Sequence, residues 1–416
     1  MISRVLNAGE GADPDRRVVV IGPDAAELDR ELAEHHDVLT VVQHPPRGTG
    51  DAVQLALEAM PDVQFAVVLY ADHPLLEPGT VRRLVDGLRE SRAQAAVVGV
   101  ILPDAAGYGR IVRDQDGRAT AIIERRDDDP EQRTGPVEIN AGLMALDANW
   151  ARENLPRIAP SDATGEIYLT ELIALAVADA HPDKPWPVIA VRGDEDAASG
   201  VNDRIDLARA ESRAWARKRE RLMQAGVTMR LPETIVIDEG VEVGPDTIIL
   251  PHTSLHGLTS VGSACVLGPG TTIADSRIGD RVIVRSSTVI ESTIADDTDI
   301  GPYAHLRGGS EIGPRAHIGN YAELKNAQLG PGVKVGHFSY LGDTEIGEET
   351  NIGAGTVTAN FDGAAKHRTR IGSRAFIGSD TILRAPVQIG DGARTGAGSV
   401  VTKDVPAGVT VVGVPA

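Results

Sequence analysis

The chain has 416 residues, room for two or three domains of ordinary size, and its 41 Lys and Arg against 60 Asp and Glu give a formal net charge of −19. That balance excludes nucleic acid or an anionic membrane as a partner held by general charge attraction, while leaving room for a local basic pocket that takes a small anion. The single cysteine, Cys265, excludes an internal disulfide and a Cys-based zinc site, and with no apolar leader at Met1–Asn7 and no run near 18 apolar residues a cytoplasmic protein is expected.

From the start to about residue 230, β-rich runs alternate with helical stretches. Val18–Ile21 reads as a strand, Ala25–Glu34 as a helix, and Val38–Val42 as a second strand. Asp51–Met60 reads as a helix, Phe65–Tyr70 as a buried strand, Val81–Arg89 as a helix, and Ala95–Ile101 as a strand. Such alternation implies an α/β domain with a mostly parallel sheet. Asp203–Gln224 reads as one charged helix ended by Gly226, with Ile205, Leu207, Ala208, Ala214 and Leu222 available for packing. It is expected to connect two domains.

Beyond it, apolar residues recur every six positions. Val243, Ile249, Leu255, Val261, Leu267 and Ile273 form one series. Ile294, Ile300, Leu306, Ile312, Ile318 and Leu324 form a second after a shift, and Ile371, Ile377, Leu383 and Ile389 a third. Gly often follows, as in Val243-Gly244, Ile300-Gly301 and Ile371-Gly372. A period of six is neither helical nor simple alternation. It predicts a β-helix of hexapeptide repeats, three hexads to a coil, with the aliphatic inward and the small residue at the corner. A narrow prism of this kind also accounts for an aromatic content of only 3%.

Residues 18 apart then lie on one face, roughly 4.8 Å from coil to coil. Arg307 and Lys325 have that spacing, and each follows an inward leucine. Two stacked cations repel unless an anion such as phosphate sits between them; spacing alone also allows two solvated surface cations. His337 follows Val335-Gly336 and is expected to project outward, where it is a candidate general base or simply a surface histidine. His305, His317 and His337 are spaced by 12 and 20, which does not stack them as a metal set. The hexads break between Thr356 and Arg370, which predicts a loop leaving the solenoid.

These residues resemble the bacterial family of bifunctional N-acetylglucosamine-1-phosphate uridyltransferase / glucosamine-1-phosphate N-acetyltransferase. The resemblance covers nearly the whole chain. Its most specific segments are Gly336-His337-Phe338-Ser339-Tyr340-Leu341-Gly342-Asp343 and Asn351 to Gly363. It implies an N-terminal nucleotidyltransferase (Rossmann-like) α/β domain over 1–202, a linker helix over 203–226, and a left-handed parallel β-helix acetyltransferase domain over 227–416. It implies a homotrimer with acetyltransferase sites between subunits. By the same resemblance His337 is the catalytic base, and Arg307, Lys325, Tyr340 and Asn351 bind glucosamine 1-phosphate. Ala354, Asn360, Phe361, Ser379 and Ala397 bind acetyl-CoA. Phe361 stands where the family often has Tyr, and the family's basic residue near the C-terminus has no match in Val411–Ala416.

In the N-terminal domain Gln43, Gly48 and Thr49 match the uracil-recognition segment, with Gly48-Thr49-Gly50 opening a helix whose N-terminus favours anions. Asp72, in Leu69-Tyr70-Ala71-Asp72-His73-Pro74, and Asn202 match the Mg²⁺ ligands. Two oxygen ligands suffice where phosphates and water supply the rest. Gly109, Glu124, Asn140 and Asn202 match the positions that hold UDP-N-acetylglucosamine. The resemblance begins inside the family's first helix. The family's first strand, its Gly-rich loop with a catalytic Arg, and a nearby Lys are expected ahead of Met1, and uridyl transfer is expected to be stronger in a chain extended upstream. The implied activity is acetyl transfer from acetyl-CoA to glucosamine 1-phosphate and UMP transfer from UTP to N-acetylglucosamine 1-phosphate. The alternatives are acetyl transfer alone, or a trimeric hexapeptide scaffold without catalysis.

Overall fold

The computed structural model describes residues 1–33, 35–103, 107–124, 136–161 and 164–415. The chain divides into two compact units, Met1–Glu211 and Ser212–Ala416.

The first unit opens with α1 (Ile2–Gly9), which buries Val5, Leu6 and Ala8 on one face. β1 (Arg17–Ile21), α2 (Ala26–Leu32) and β2 (Val38–Val42) follow, and the two strands pair in parallel from Arg17↔Val38 to Ile21↔Val42. Next come α3 (Thr49–Ala59), β3 (Phe65–Val68), α4 (Pro78–Ser91) and β4 (Ala95–Leu102). Pro at the first turn of α4 suits a position whose N–H has no partner in the helix. β5 (Arg110–Arg113), β6 (Ala119–Ile123), β7 (Val137–Asp147), α5 (Ala148–Asn154), α6 (Glu171–Ala178) and β8 (Val188–Arg192) complete the unit. The Asp147 side chain caps α5 by accepting the Trp150 N–H.

The main sheet runs β6-β5-β7-β4-β8, with β3 also on β7. It is mixed, not mostly parallel. β4 and β8 are parallel, but β7 is antiparallel to β3, β4 and β5, and β5 to β6. For one pair the reason is local: β5 and β6 are joined by a tight turn at Asp114–Arg118, and a hairpin forces antiparallel pairing. β4 alternates between two cores. Ala95 and Val97 pack with Met144, Leu146, Leu172 and Ile173, while Ala96 and Val98 pack with Leu84, Leu88 and Leu143.

The β3 strand departs from expectation. Phe65 is exposed and Ala66–Val68 are only half-buried. Its open side, together with β1, α1 and α3, lines a cavity of about 880 Å³, and β1 and β2 stand as a separate two-stranded sheet.

The helix α7 (Arg204–Gln224) spans the point where the units are divided. Ala210, Ala214 and Leu222 are buried along it, whereas Ile205 and Leu207 are exposed, so the packing face is narrower than the sequence implied. Arg219 donates to the Ile235 carbonyl at 2.7 Å and Leu222 joins the core of the second unit.

The second unit is a parallel β-helix of strands mostly two or three residues long. Ile237, Leu255, Ile273, Val289, Leu306, Leu324 and Leu341 stack as one inward column, coil on coil, each with no exposed surface. Burial of each such side chain is worth about 1.5–3 kcal/mol. A second inward series carries hydroxyls. Thr247 donates to the Gly262 carbonyl at 2.9 Å and Thr350 to Gly372 at 2.7 Å, so these two buried oxygens are satisfied. Cys265 takes a place in this series, its thiol 3.1 Å from the Gly279 carbonyl, and burial pushes the thiol pKa up. It is a packing residue rather than a nucleophile.

The coil length is not constant. Partners lie 18 residues apart in places, 16 or 17 in others, and 25 where the loop after Ala359 is inserted. The shortened coils produce the shift between the hexad series.

Candidate active sites

The short coils decide what meets on the β-helix. Arg307 and Lys325 are register partners, and the next partner in that column is Gly342. Arg307 is not bare: its Nη1 lies 2.9 Å from Glu323 Oε1. Lys366, at the end of the inserted loop, is close enough to Lys325 to act on its ammonium. That proximity, with the Lys366 and Arg307 charges, holds the Lys325 ammonium below its ordinary pKa. Three cations therefore converge with one acidic partner to Arg307, the arrangement that a phosphate relieves. Gly342 keeps the floor open, because a Cβ there would stand 2.5 Å from the Tyr340 hydroxyl and 2.7 Å from Asn360 Nδ2.

A second column holds the base. Phe338 N–H donates to the Asn320 carbonyl at 3.1 Å, Gly355 to His337 at 3.4 Å, Asp380 to Ala354 at 2.6 Å, and Gly398 to Ser379 at 2.8 Å. This ladder stacks Asn320, His337, Ala354, Ser379 and Ala397 on successive coils. The residues above His337 are Ala354, Ser379 and Ala397, a track of small side chains along the solenoid. His337 is exposed, and its Nδ1 is 2.6 Å from Asn320 Oδ1. With Nδ1 donating to that oxygen, the lone pair is on Nε2.

Asn360 is buried at the foot of the loop and donates from Nδ2 to Asp343 at 2.6 Å. Phe361 is exposed and bridges backbone to Lys366. Asn351 is the one expected residue set apart: it stacks on Lys334, three residues before His337 in register. Sequence reasoning missed Asn320, Asn326, Asp343 and Lys366. The first three are linked across 17-residue steps, which a search at 18 passes over.

In the first unit the loop between β2 and α3 makes a compact turn. Gln43 Nε2 donates to the Gly48 carbonyl at 3.0 Å and to Asp51 Oδ2 at 2.7 Å, using both its protons and leaving Oε1 as an acceptor. Asp51 is buried and paired with Arg47 at 2.8 Å. A Cβ on Gly48 would meet the Ile167 carbonyl at 2.6 Å, and its φ of +103° is glycine territory. The Tyr70 phenol is a hub. Burial raises its pKa, its bond to Thr49 opposes that, and the charges of Glu124 and Asp72 raise it further. Glu124 accepts from Thr170 at 2.9 Å, and a Cβ on Gly109 would lie 3.3 Å from its other oxygen. Asn140 N–H donates to the Gly109 carbonyl at 2.7 Å. Thr49, Gly109, Glu124 and Asn140 therefore border one site, with Tyr70 between them.

Asp72 and Asn202 are also brought together, since Val201 N–H donates to the Asp72 carbonyl at 2.9 Å. The Asp72 carboxylate is half exposed, with Nδ1 of the His73 ring 3.4 Å away. His73 Nδ1 is buried without a hydrogen bond, and burial lowers the pKa of the ring. An Asp carboxylate and an Asn amide on these adjoining segments are hard oxygen donors of the kind that would hold a magnesium ion, with phosphate and water supplying its other ligands. No group of three or more His, Cys, Asp or Glu able to hold a metal occurs among the described residues.

Residues 1–101 match the MobA-like NTP transferase domain, and residues 368–403 match the bacterial transferase hexapeptide with six repeats. The chain is 37% identical over 416 residues to a bifunctional protein GlmU of Prochlorococcus marinus, covering 99% of this chain and 91% of that one. The chain belongs to the bifunctional GlmU family. Similar relatives include the GlmU of Heliobacterium modesticaldum, 41% identical over 99% of this chain and 89% of its own, and that of Corynebacterium diphtheriae, 39% over 99% and 85%. Membership makes the chain a bifunctional transferase of UDP-N-acetylglucosamine biosynthesis, with a nucleotidyltransferase unit and a hexapeptide acetyltransferase unit. No described helix is long and apolar enough to cross a membrane.

Proposed function

We propose that acetyl transfer takes place where the two columns of the β-helix converge. The observation that carries this reading is the ladder that lines Ala354, Ser379 and Ala397 up behind His337. Acetyl-CoA lies along that track, with Asn360 and Phe361 beside it and its thioester at His337. Glucosamine 1-phosphate places its phosphate among Arg307, Lys325 and Lys366, with Tyr340 over the sugar. The amine attacks the thioester carbonyl, forming the C–N bond, and His337 Nε2 takes the amine's proton. Collapse breaks the C–S bond, and the imidazolium returns the proton to the departing thiolate. Lys325→Ala tests the phosphate assignment. Loss of one charge-assisted bond, about 1.5–3 kcal/mol, raises KM for glucosamine 1-phosphate about 10–100-fold and leaves KM for acetyl-CoA near its original value. An unchanged sugar-phosphate KM rejects the clamp.

In the first unit the substrates are UTP and N-acetylglucosamine 1-phosphate. Gln43 Oε1, held as an acceptor, suits the N3–H of uracil, with Gly48 and Thr49 at the helix start. Gly109, Glu124, Asn140 and Asn202 face the sugar nucleotide. Asp72 and Asn202 hold Mg²⁺, which would neutralise phosphate charge. We assign 1–202, 203–226 and 227–416 as nucleotidyltransferase domain, linker helix and left-handed acetyltransferase β-helix of a cytoplasmic homotrimer. An exposed aromatic ladder supports the trimer: Tyr303 stacks on Tyr321 at 5.3 Å and Tyr321 on Phe338 at 5.4 Å, next to His337. A second subunit laid there also supplies a place for Asn351.

A further inference from the structure

We propose that Asp343 is a positioning residue for acetyl transfer, whose carboxylate fixes Asn360 so that the amide oxygen is the group presented to the substrates. The inference rests on the acetyl-transfer reading of the site. Asp343 follows Gly342 at a corner of the coil, with φ at 49°, a left-handed conformation that Asp tolerates better than most side chains. Its Oδ1 accepts from Asn326 Nδ2 at 2.8 Å and its Oδ2 from Asn360 Nδ2 at 2.6 Å. An ionised carboxylate can only accept. It therefore dictates which end of each amide turns toward it, and leaves the oxygen of Asn360 free for a donor.

Asn360 also anchors the inserted loop. Its carbonyl accepts the His367 N–H at 2.7 Å. At the loop tip Asp362 accepts the Ala364 and Ala365 N–H groups, both at 2.8 Å, and pairs with His367 Nε2 at 2.6 Å. The loop held in this way carries Lys366 to Lys325. One carboxylate thus touches the side chain that borders the acetyl-CoA track and sits among the cations of the phosphate clamp. Burial pushes its pKa up, but the Asn326 and Asn360 amides and the Lys366 and Lys325 charges hold it below the ordinary carboxylate range.

These two connections have opposite consequences when the charge is removed. The amide of Asn360 is freed to flip, which weakens the step that needs its oxygen. The cations lose a neutralising neighbour, so phosphate attraction is kept or strengthened. A carboxylate that merely braced the corner would not separate the two effects.

The test is steady-state acetyl transfer by the full chain, with acetyl-CoA and glucosamine 1-phosphate varied separately and thermal unfolding followed alongside. Asp343→Ala is expected to lower kcat at least about tenfold, the loss of roughly one charged hydrogen bond, without raising KM for the sugar phosphate. A kcat within twofold of the original overturns the proposal. So does a rise in the sugar-phosphate KM in step with a fall in Tm, which marks a structural brace. Should Asp343→Ala not fold, Asp343→Asn keeps the shape but can accept from only one of the two amides, and the same split is expected from it. Lys325→Ala run in parallel separates the two claims: if its sugar-phosphate KM is unmoved, the phosphate clamp of the acetyl-transfer reading fails whatever Asp343 does.

Discussion

Lys325 shows how a single side chain reports on its ligand. With Lys366 and Arg307 beside it, its pKa lies below the ordinary lysine value. A phosphate among the three favours the charged form and raises that pKa again. The sign follows: binding is full at pH below the lowered value and weakens as pH rises through it. KM for glucosamine 1-phosphate should therefore climb on the alkaline side before the ordinary lysine range, and Lys366→Ala should move the climb to higher pH. A climb that Lys366→Ala leaves in place contradicts the shared clamp. The stacking of Arg307 on Lys325 was legible because their spacing matched a full coil. Asn320 was not, although it touches the same histidine that the sequence singled out. Its partner lies 17 residues on, and the coil length is set by corner geometry that composition does not reveal.

Among the elements, the β-helix strands were legible and the sheet of the first unit only partly. Inward positions such as Ile300, Leu306 and Ile318 are fully buried, as a six-residue period requires. Leu324 is the most telling of them, since it sits directly beneath Lys325 with no exposed surface. Leu324→Ala should destabilise the second unit by about 2–5 kcal/mol through lost contacts and a cavity that neighbouring coils cannot close. Thermal or denaturant unfolding reads this, and a change below about 1 kcal/mol would mean that the column does not carry the stability assigned to it. β7 escaped the sequence reading because its partners β3, β4 and β5 are all distant in the chain, and hydrophobic pattern does not say which distant strands pair. β3 looked buried because Phe65–Tyr70 is apolar throughout, yet half of its environment is the cavity shared with β1.

For the whole molecule, the balance of −19 charges concealed a basic cluster of three side chains. The aromatic ladder at Tyr303, Tyr321 and Phe338 belongs to this scale, since all three rings are exposed. Sedimentation equilibrium should return three subunits, and Tyr321→Glu should shift the assembly to smaller species and lower acetyl transfer with it. A monomer of full activity would show that the site is complete in one chain. The central claim is that His337, oriented by Asn320 at the end of the small-residue track, is the base for acetyl transfer. Its most direct test is the rate of CoA release from acetyl-CoA with glucosamine 1-phosphate as acceptor. The account predicts that His337→Ala lowers kcat by about 10²–10⁴-fold with little change in either KM, as removal of a general base does. Turnover near that of the unaltered protein would contradict it.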